Sequence, residues 1–193
     1  SDVYKRQTPI KAGKKVIVVG GGNVAMDAAR TARRLGAEVH IVYRRGEEEL
    51  PARKEEVHHA KEEGIIFDLL QNPTELLVDE NGCVKGAKVI KMELGEPDAS
   101  GRRSPVAIPG ATETIDIDLA IVSVGVSPNP IVPSSIKGLE LGRKGTIAVN
   151  DNMQSSIPTI YAGGDIVRGG ATVILAMGDG RKAAAAMNEQ LKK

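Results

Sequence analysis

Val16-Ile17-Val18-Val19-Gly20-Gly21-Gly22-Asn23-Val24-Ala25, residues 16–25, is the stretch from which the architecture follows. Four consecutive apolar residues, all of them β-branched, stop at a triple glycine. An unbroken apolar run of that length suits a strand buried on both faces, as in a parallel sheet. Residues 23–35 follow with Ala25, Ala28, Ala29 and Ala32 at helical spacing, and Gly36 ends that helix. A second strand is expected over 39–43, a charged helix over 52–63 stopped by Gly64, and a third strand over 65–70. The opening is therefore βαβαβ, which implies a parallel sheet with right-handed crossovers.

Gly20 to Ala25 fits G-x-G-x-x-A, directly after a buried strand and at the start of a helix. In that setting Gly20 permits the tight turn, Gly22 lets backbone approach a pyrophosphate, and Ala25 allows the helix to pack closely on the sheet. The N–H groups around Asn23 and Val24 then face the anion with the positive end of the helix dipole. The second strand ends in Tyr43-Arg44-Arg45. A site for unphosphorylated dinucleotide places Asp or Glu near this point, about 20 residues past the fingerprint, to hold ribose hydroxyls. Arginine suits a phosphate, because its planar fork donates two hydrogen bonds at once. Arg44 and Arg45 are thus candidates for the 2′-phosphate of NADP(H), with Arg53 at the next helix start as an assistant. Glu47, Glu48 and Glu49 make the local charge mixed.

Past residue 70 the pattern changes. Strands are expected over 74–78 and 84–94, joined by the turn Asp79-Glu80-Asn81-Gly82. A polar loop is expected over 95–105, an exposed strand over 112–117 and a buried strand over 119–124. The middle strands read as an antiparallel meander that replaces one crossover helix. Residues 126–135 carry several prolines and read as a linker. Short strands follow over 146–149 and 159–162, the latter running into Gly163-Gly164-Asp165. An alanine-rich helix closes the chain over 172–191. Asp165 can accept hydrogen bonds from ligand hydroxyls, and the helix start at Ala171, Thr172 and Val173 can stabilise negative charge on a ligand oxygen.

The 193 residues carry a net charge of +1 and 41% hydrophobic residues. That balance points away from nucleic acid and membrane surfaces as partners. Aromatics make up 2%, so the core must be built from Val, Ile, Leu and Ala. Cys83 is the single cysteine, which excludes an internal disulfide and an iron–sulfur cluster held by this chain alone. No apolar stretch spans a bilayer and no signal peptide is visible, so a cytoplasmic setting is expected. His58 and His59 are neighbours on a charged helix without a third ligand at metal spacing, so no metal site is expected. Asp27 is read as a carboxylate in the first helical turn, favoured there by the dipole.

Four segments in order, "VIVVGGGNVAMDAARTARRLGAEVHIVYRR", "LPARKEEVHHAKEEGIIF", "IVSVGVSPNP" and "TIYAGGDIVRGGATVILAMGDGRKAA", resemble the small subunit of NADPH-dependent glutamate synthase and its close relatives. Those relatives include the large subunit of NADH-dependent ferredoxin:NADP oxidoreductase and the sulfide dehydrogenase flavoprotein subunit. The resemblance implies an NADPH domain inserted within a FAD domain. It implies that Gly20, Gly22, Asn23, Val24 and Ala25 meet the NADPH pyrophosphate and that Arg44 and Arg45 select the 2′-phosphate. Gly125 would lie where the chain returns to the FAD domain. Gly164 and Asp165 would meet the flavin's ribityl and pyrophosphate portion, and Ala171, Thr172 and Val173 would lie beneath its ring.

On this reading residues 1–12 are a non-native leader, 13–125 the NADP(H)-binding domain, and 126–193 the C-terminal portion of a FAD-binding domain. A first FAD fingerprint and a cysteine-rich iron–sulfur part, which the family carries upstream, are not in the sequence. The chain is expected to be a C-terminal fragment that holds NADPH but does not retain FAD by itself. Its partners would be the remainder of the flavoprotein and a second subunit. The implied reaction is hydride transfer between NADP(H) and FAD, with iron–sulfur centres of the longer protein taking the electrons. No side-chain acid or base is needed for that transfer, so no catalytic residue is assigned. An NADP(H)-binding module without turnover is the alternative from another class.

Overall fold

The computed structural model describes residues 12–97, 101, 103–142 and 144–192. Apart from Ala12, the leader assigned to 1–12 lies outside them. The chain divides into two compact units between Val124 and Gly125.

In the first unit, β1 (Lys15–Val19), α1 (Asn23–Arg34), β2 (Glu38–Tyr43), α2 (Lys54–Glu62) and β3 (Ile66–Leu69) alternate as expected. After them come β4 (Gln71–Val78), β5 (Val84–Pro97), β6 (Arg103–Asp116) and β7 (Leu119–Val122). The parallel sheet has the order β3-β2-β1-β7, and β4-β5-β6 form a separate antiparallel sheet. Alternation along β1 explains how both faces are filled. Val16 and Val18 pack with Ala25, Met26, Ala29, Val57 and Ala60 of the helices. Ile17, between them, packs with Val42 of β2, Ala87 and Val89 of the meander, and Ile117. One strand thus serves two cores, which is why it reads as a continuous apolar run. Alanine at four positions of α1 lets that helix lie close against the sheet.

The two helices are joined by charge. Arg30 donates to Glu56 at 2.8 Å and to Glu63 at 2.8 Å, while Arg34 donates to Glu63 at 2.6 Å. The bond from Arg34, then that from Arg30, lowers the Glu63 carboxyl from 4.5 to about 2. A carboxylate depressed in this way stabilises the fold above its unfolded value. That contribution is lost as pH falls toward the folded value. The thermal midpoint of the chain should therefore drop more steeply between pH 4.5 and about 2 than that of Glu63→Gln. Melting curves with equal slopes for the two proteins would exclude this role for Glu63.

Three expectations need correction. The polar loop over 95–105 and the strand over 112–117 are instead a hairpin: β5 continues to Pro97 and β6 begins at Arg103. Residues 98–100 and 102 of that loop lie outside the described residues. Pro105 and Pro109 lack an N–H donor, but β6 is an edge strand paired only with β5, where that is tolerated. The linker over 126–135 contains a short helix, α3 (Ile131–Ser135), that Pro130 precedes in helical geometry and whose Pro133 is buried. The strands over 146–149 and 159–162 are only isolated bridges, Leu141 to Ile147, Val149 to Ser155 and Gln154 to Tyr161. Each segment meets its neighbour at one position and turns away. In addition, α2 starts at Lys54 rather than at 52, and Asp27 lies beyond the first turn of α1. The second unit ends in α4 (Asp165–Arg168) and α5 (Val173–Leu191), the latter capped by Thr172, whose side chain accepts from Leu175 N–H.

Candidate nucleotide-binding site

The three glycines after β1 stand in three different environments. Gly20 has φ +137°, and a Cβ there would stand 2.4 Å from the Ser123 carbonyl oxygen beyond β7. Its N–H donates to Val42 O at 3.1 Å, so the turn is clamped between β2 and the chain leaving β7. Gly21 lies against Tyr43 and Leu50, each with an atom 2.8 Å from where a Cβ would be. Gly22 is unlike both. Its backbone is extended (φ −90°, ψ 177°) and an added Cβ would meet nothing within 4 Å. Nothing in the protein's own packing asks for glycine at Gly22.

Helix α1 begins on that open side. Ala25 N–H donates to Gly22 O at 2.9 Å, so the N–H groups of Asn23 and Val24 precede the first bond of the ladder. Val24 is 69% exposed and Ala25 fully buried, so one face of the first turn is open to solvent while the other packs on the sheet. A loop of this shape can accept a phosphate on backbone N–H groups. Two bonds brace it: Ala52 N–H donates to Gly21 O at 3.1 Å, and Arg53 N–H donates to Asn23 Oδ1 at 2.9 Å. The Asn23 side chain is therefore a strut to the loop that follows β2.

Arg44 and Arg45 stand in that loop and are not equivalent. Arg44 is exposed, whereas Arg45 is only 7% exposed. The Arg45 Nε is buried and has no hydrogen-bond partner among the described residues. A buried charged donor without an acceptor is costly, and an anionic ligand relieves that cost. The acidic residues nearby do not fill the role. Glu47 is engaged by Lys61 Nζ at 2.5 Å, and among the described residues no carboxylate bonds to the Arg45 Nε. Arg53 is exposed at the start of α2.

In the second unit, Gly125 has φ +93° and begins the chain's new course. Gly164 has φ +73°, and a Cβ at Gly163 would lie 2.7 Å from Asp179 Cβ. Asp165 is exposed at the start of α4, with Oδ1 accepting from Ala171 N–H at 3.2 Å. Ala171, Thr172 and Val173 are exposed where α5 begins. Sequence reasoning missed the pair beneath them. Asp179 is 1% exposed and receives Arg168 Nε at 2.7 Å, Arg168 Nη2 at 2.6 Å and Gly164 N–H at 3.0 Å. The available signal was a lone acid between two glycines in an otherwise apolar start to a helix. His58 and His59 are exposed on α2, and among the described residues no group of three or more His, Cys, Asp or Glu is placed to hold a metal.

A parallel sheet in the order β3-β2-β1-β7, a meander on one face and a glycine-rich strand-to-helix turn define a Rossmann-like class of fold. The chain belongs to the pyridine nucleotide-disulphide oxidoreductase family, whose description matches residues 2–180. It is 44% identical over 195 residues to the NADP(+)-dependent formate dehydrogenase subunit beta of Moorella thermoacetica, covering 100% of this chain and 27% of that protein. It is 42% identical over 177 residues to the glutamate synthase [NADPH] small chain of Escherichia coli (strain K12), covering 89% of this chain and 38% of that protein. The chain thus spans well under half the length of these relatives, and the resemblance drawn from its four segments is borne out by the second. Among solved structures, T. acidophilum thioredoxin reductase superposes with a TM-score of 0.74 at 24% identity, over 95% of this chain and 54% of that one. That likeness concerns the fold.

Proposed function

We propose that the chain is the NADP(H)-binding part of a flavoprotein oxidoreductase and includes a portion of its FAD-binding domain. Residues 13–125 would bind NADP(H), with the pyrophosphate on Gly20, Gly22, Asn23, Val24 and Ala25. The 2′-phosphate would lie on Arg44 and Arg45, with Arg53 beside it. The observation that carries this reading is the buried Arg45 Nε without an acceptor, at the end of the strand that follows the glycine-rich turn. FAD, when bound, supplies the acceptor for the hydride of NADPH. Gly125 would mark the chain's return to the FAD-binding domain, and residues 126–193 would contribute Gly164, Asp165 and the α5 start at Ala171, Thr172 and Val173 to the FAD site. The chain's own residues bind and orient, and none is assigned a proton transfer.

The longer enzyme would be of the glutamate synthase small-chain type, a reading supported by 42% identity to one such chain, with the ferredoxin:NADP oxidoreductase and sulfide dehydrogenase subunits, or a binding module without turnover, as alternatives. Any iron–sulfur cluster would be held outside this chain, which has one cysteine. A second subunit is a further part of the proposal, since the relatives are named as chains or subunits. No helix among the described residues is long and apolar enough to cross a membrane, and we place the protein in the cytoplasm. Calorimetric titration of the chain tests the reading. NADPH should bind at least about tenfold more tightly than NADH, a difference of 1.4 kcal/mol. Equal affinities, or no binding of either, would exclude it.

A further inference from the structure

We propose that Arg168 and Asp179 form a latch that positions the flavin-facing turn Gly163-Gly164-Asp165 against the start of α5. The inference rests on the reading of residues 126–193 as part of a FAD site. The two groups assigned to flavin there come from separate elements. Asp165 opens α4, and Ala171 to Val173 lead into α5. Asp179 sits farther along α5 and reaches back to both α4 and the turn. One carboxylate oxygen, Oδ2, receives Gly164 N–H at 3.0 Å and Arg168 Nε at 2.7 Å, while Oδ1 receives Arg168 Nη2 at 2.6 Å. Gly164 N–H belongs to the Gly163–Gly164 peptide, one residue ahead of Asp165. Its acceptor therefore sets the direction in which the Asp165 backbone leaves the turn.

The rest of the turn is fitted to this arrangement. Gly163 leaves room for Asp179, since a Cβ would come within 2.7 Å of the Asp179 Cβ. Gly164 takes φ +73° with a Cβ position 3.3 Å from Ala176 Cβ of α5. From the other side, Asp165 Oδ1 accepts Ala171 N–H at 3.2 Å, tying the turn to the residues that lead into α5. The Asp179 carboxyl lies at about 2, held there first by the Arg168 bond and then by Gly164 N–H, so the latch stays charged at neutral pH. A planar guanidinium engaging both carboxylate oxygens fixes orientation as well as distance. That combination gives a ligand-holding turn its rigid support, and a loosely held shell loses affinity.

Two measurements test the latch and separate it from the reading beneath it. In the 193-residue chain, exchange of the Gly164 amide hydrogen should speed up at least about tenfold in Asp179→Asn and Arg168→Ala, and less in Arg168→Lys. In the full-length flavoprotein carrying the same substitutions, FAD should dissociate at least about tenfold more readily, a step of 1.4 kcal/mol. The visible circular dichroism of the residual bound flavin should change, and NADPH affinity should not. Arg168→Lys should fall between wild type and Arg168→Ala, and it keeps the test open if Arg168→Ala does not fold. Unchanged Gly164 exchange, or variants that hold FAD with wild-type affinity and spectrum, would overturn the latch while leaving the FAD reading intact. A wild-type flavoprotein that neither contains nor binds FAD would overturn the reading, and the latch's role with it.

Discussion

Gly22→Val should leave the chain folded and reduce NADPH binding by about a hundredfold or more, equivalent to about 2.7 kcal/mol. What the free protein needs at this position differs from what a ligand needs. Gly22 adopts φ −90° and ψ 177°, which any residue can reach, and a Cβ there would meet nothing within 4 Å. The cost to the free protein is then that of a poor N-cap, about 0.5–2 kcal/mol at most. Gly20 is the control. With φ +137° and the Ser123 carbonyl 2.4 Å from its Cβ position, Gly20→Ala should lower the thermal midpoint directly. A valine at position 22 projects into the space where backbone would meet pyrophosphate, next to the N–H groups of Asn23 and Val24. Paired thermal melts and titrations check this. A folded Gly22→Val that binds NADPH normally would make the turn structural and remove the basis of the proposed function.

Replacing Arg44 and Arg45 together by alanine should weaken NADPH binding at least about tenfold and leave NADH nearly unchanged. A hydrogen bond to a charged group contributes about 1.5–3 kcal/mol. The structure divides the effect unequally. Arg45 is 7% exposed with a buried, unpartnered Nε, whereas Arg44 lies in solvent, where screening weakens its pull on a phosphate. Arg45→Ala alone should therefore account for most of the loss, and the smaller loss from Arg44→Ala should shrink as salt is raised. Calorimetric titration with both nucleotides at two ionic strengths distinguishes them. Equal losses for NADPH and NADH would assign the pair to general charge and not to the 2′-phosphate.

The first half of the fold was legible because its signals are local. Val16 to Val19, the triple glycine and the alanines of α1 announce a strand, a turn and a close-packed helix within twenty residues of one another. Where meaning depended on tertiary placement, legibility failed. The prolines of β6 look like breakers until the strand is known to be at an edge. Residues 146–149 and 159–162 have strand-like composition, but no neighbour runs alongside them for more than one bridge. Arg44 and Arg45 were given one role, since adjacency in sequence says nothing about which of them the chain buries at the end of β2. Ser123, whose carbonyl leaves no room for a side chain at Gly20, and Asp179, which holds Gly164, carry no motif of their own. Each acts through a bond or contact to a distant backbone group, and such contacts leave no spacing to read.

The strut from Asn23 to Arg53, with the bond from Ala52 to Gly21, has a consequence for how a nucleotide is held. It joins the turn proposed for the pyrophosphate to the loop proposed for the ribose phosphate at a fixed separation. A ligand with anions at both points is then bivalent. Once one is seated, the other searches a small volume instead of the whole solution, and its effective concentration is set by the stiffness of the spacer. Tight binding of the whole dinucleotide can arise from two half-sites that are each weak, and discrimination between phosphorylated and unphosphorylated nucleotides comes from losing the second attachment.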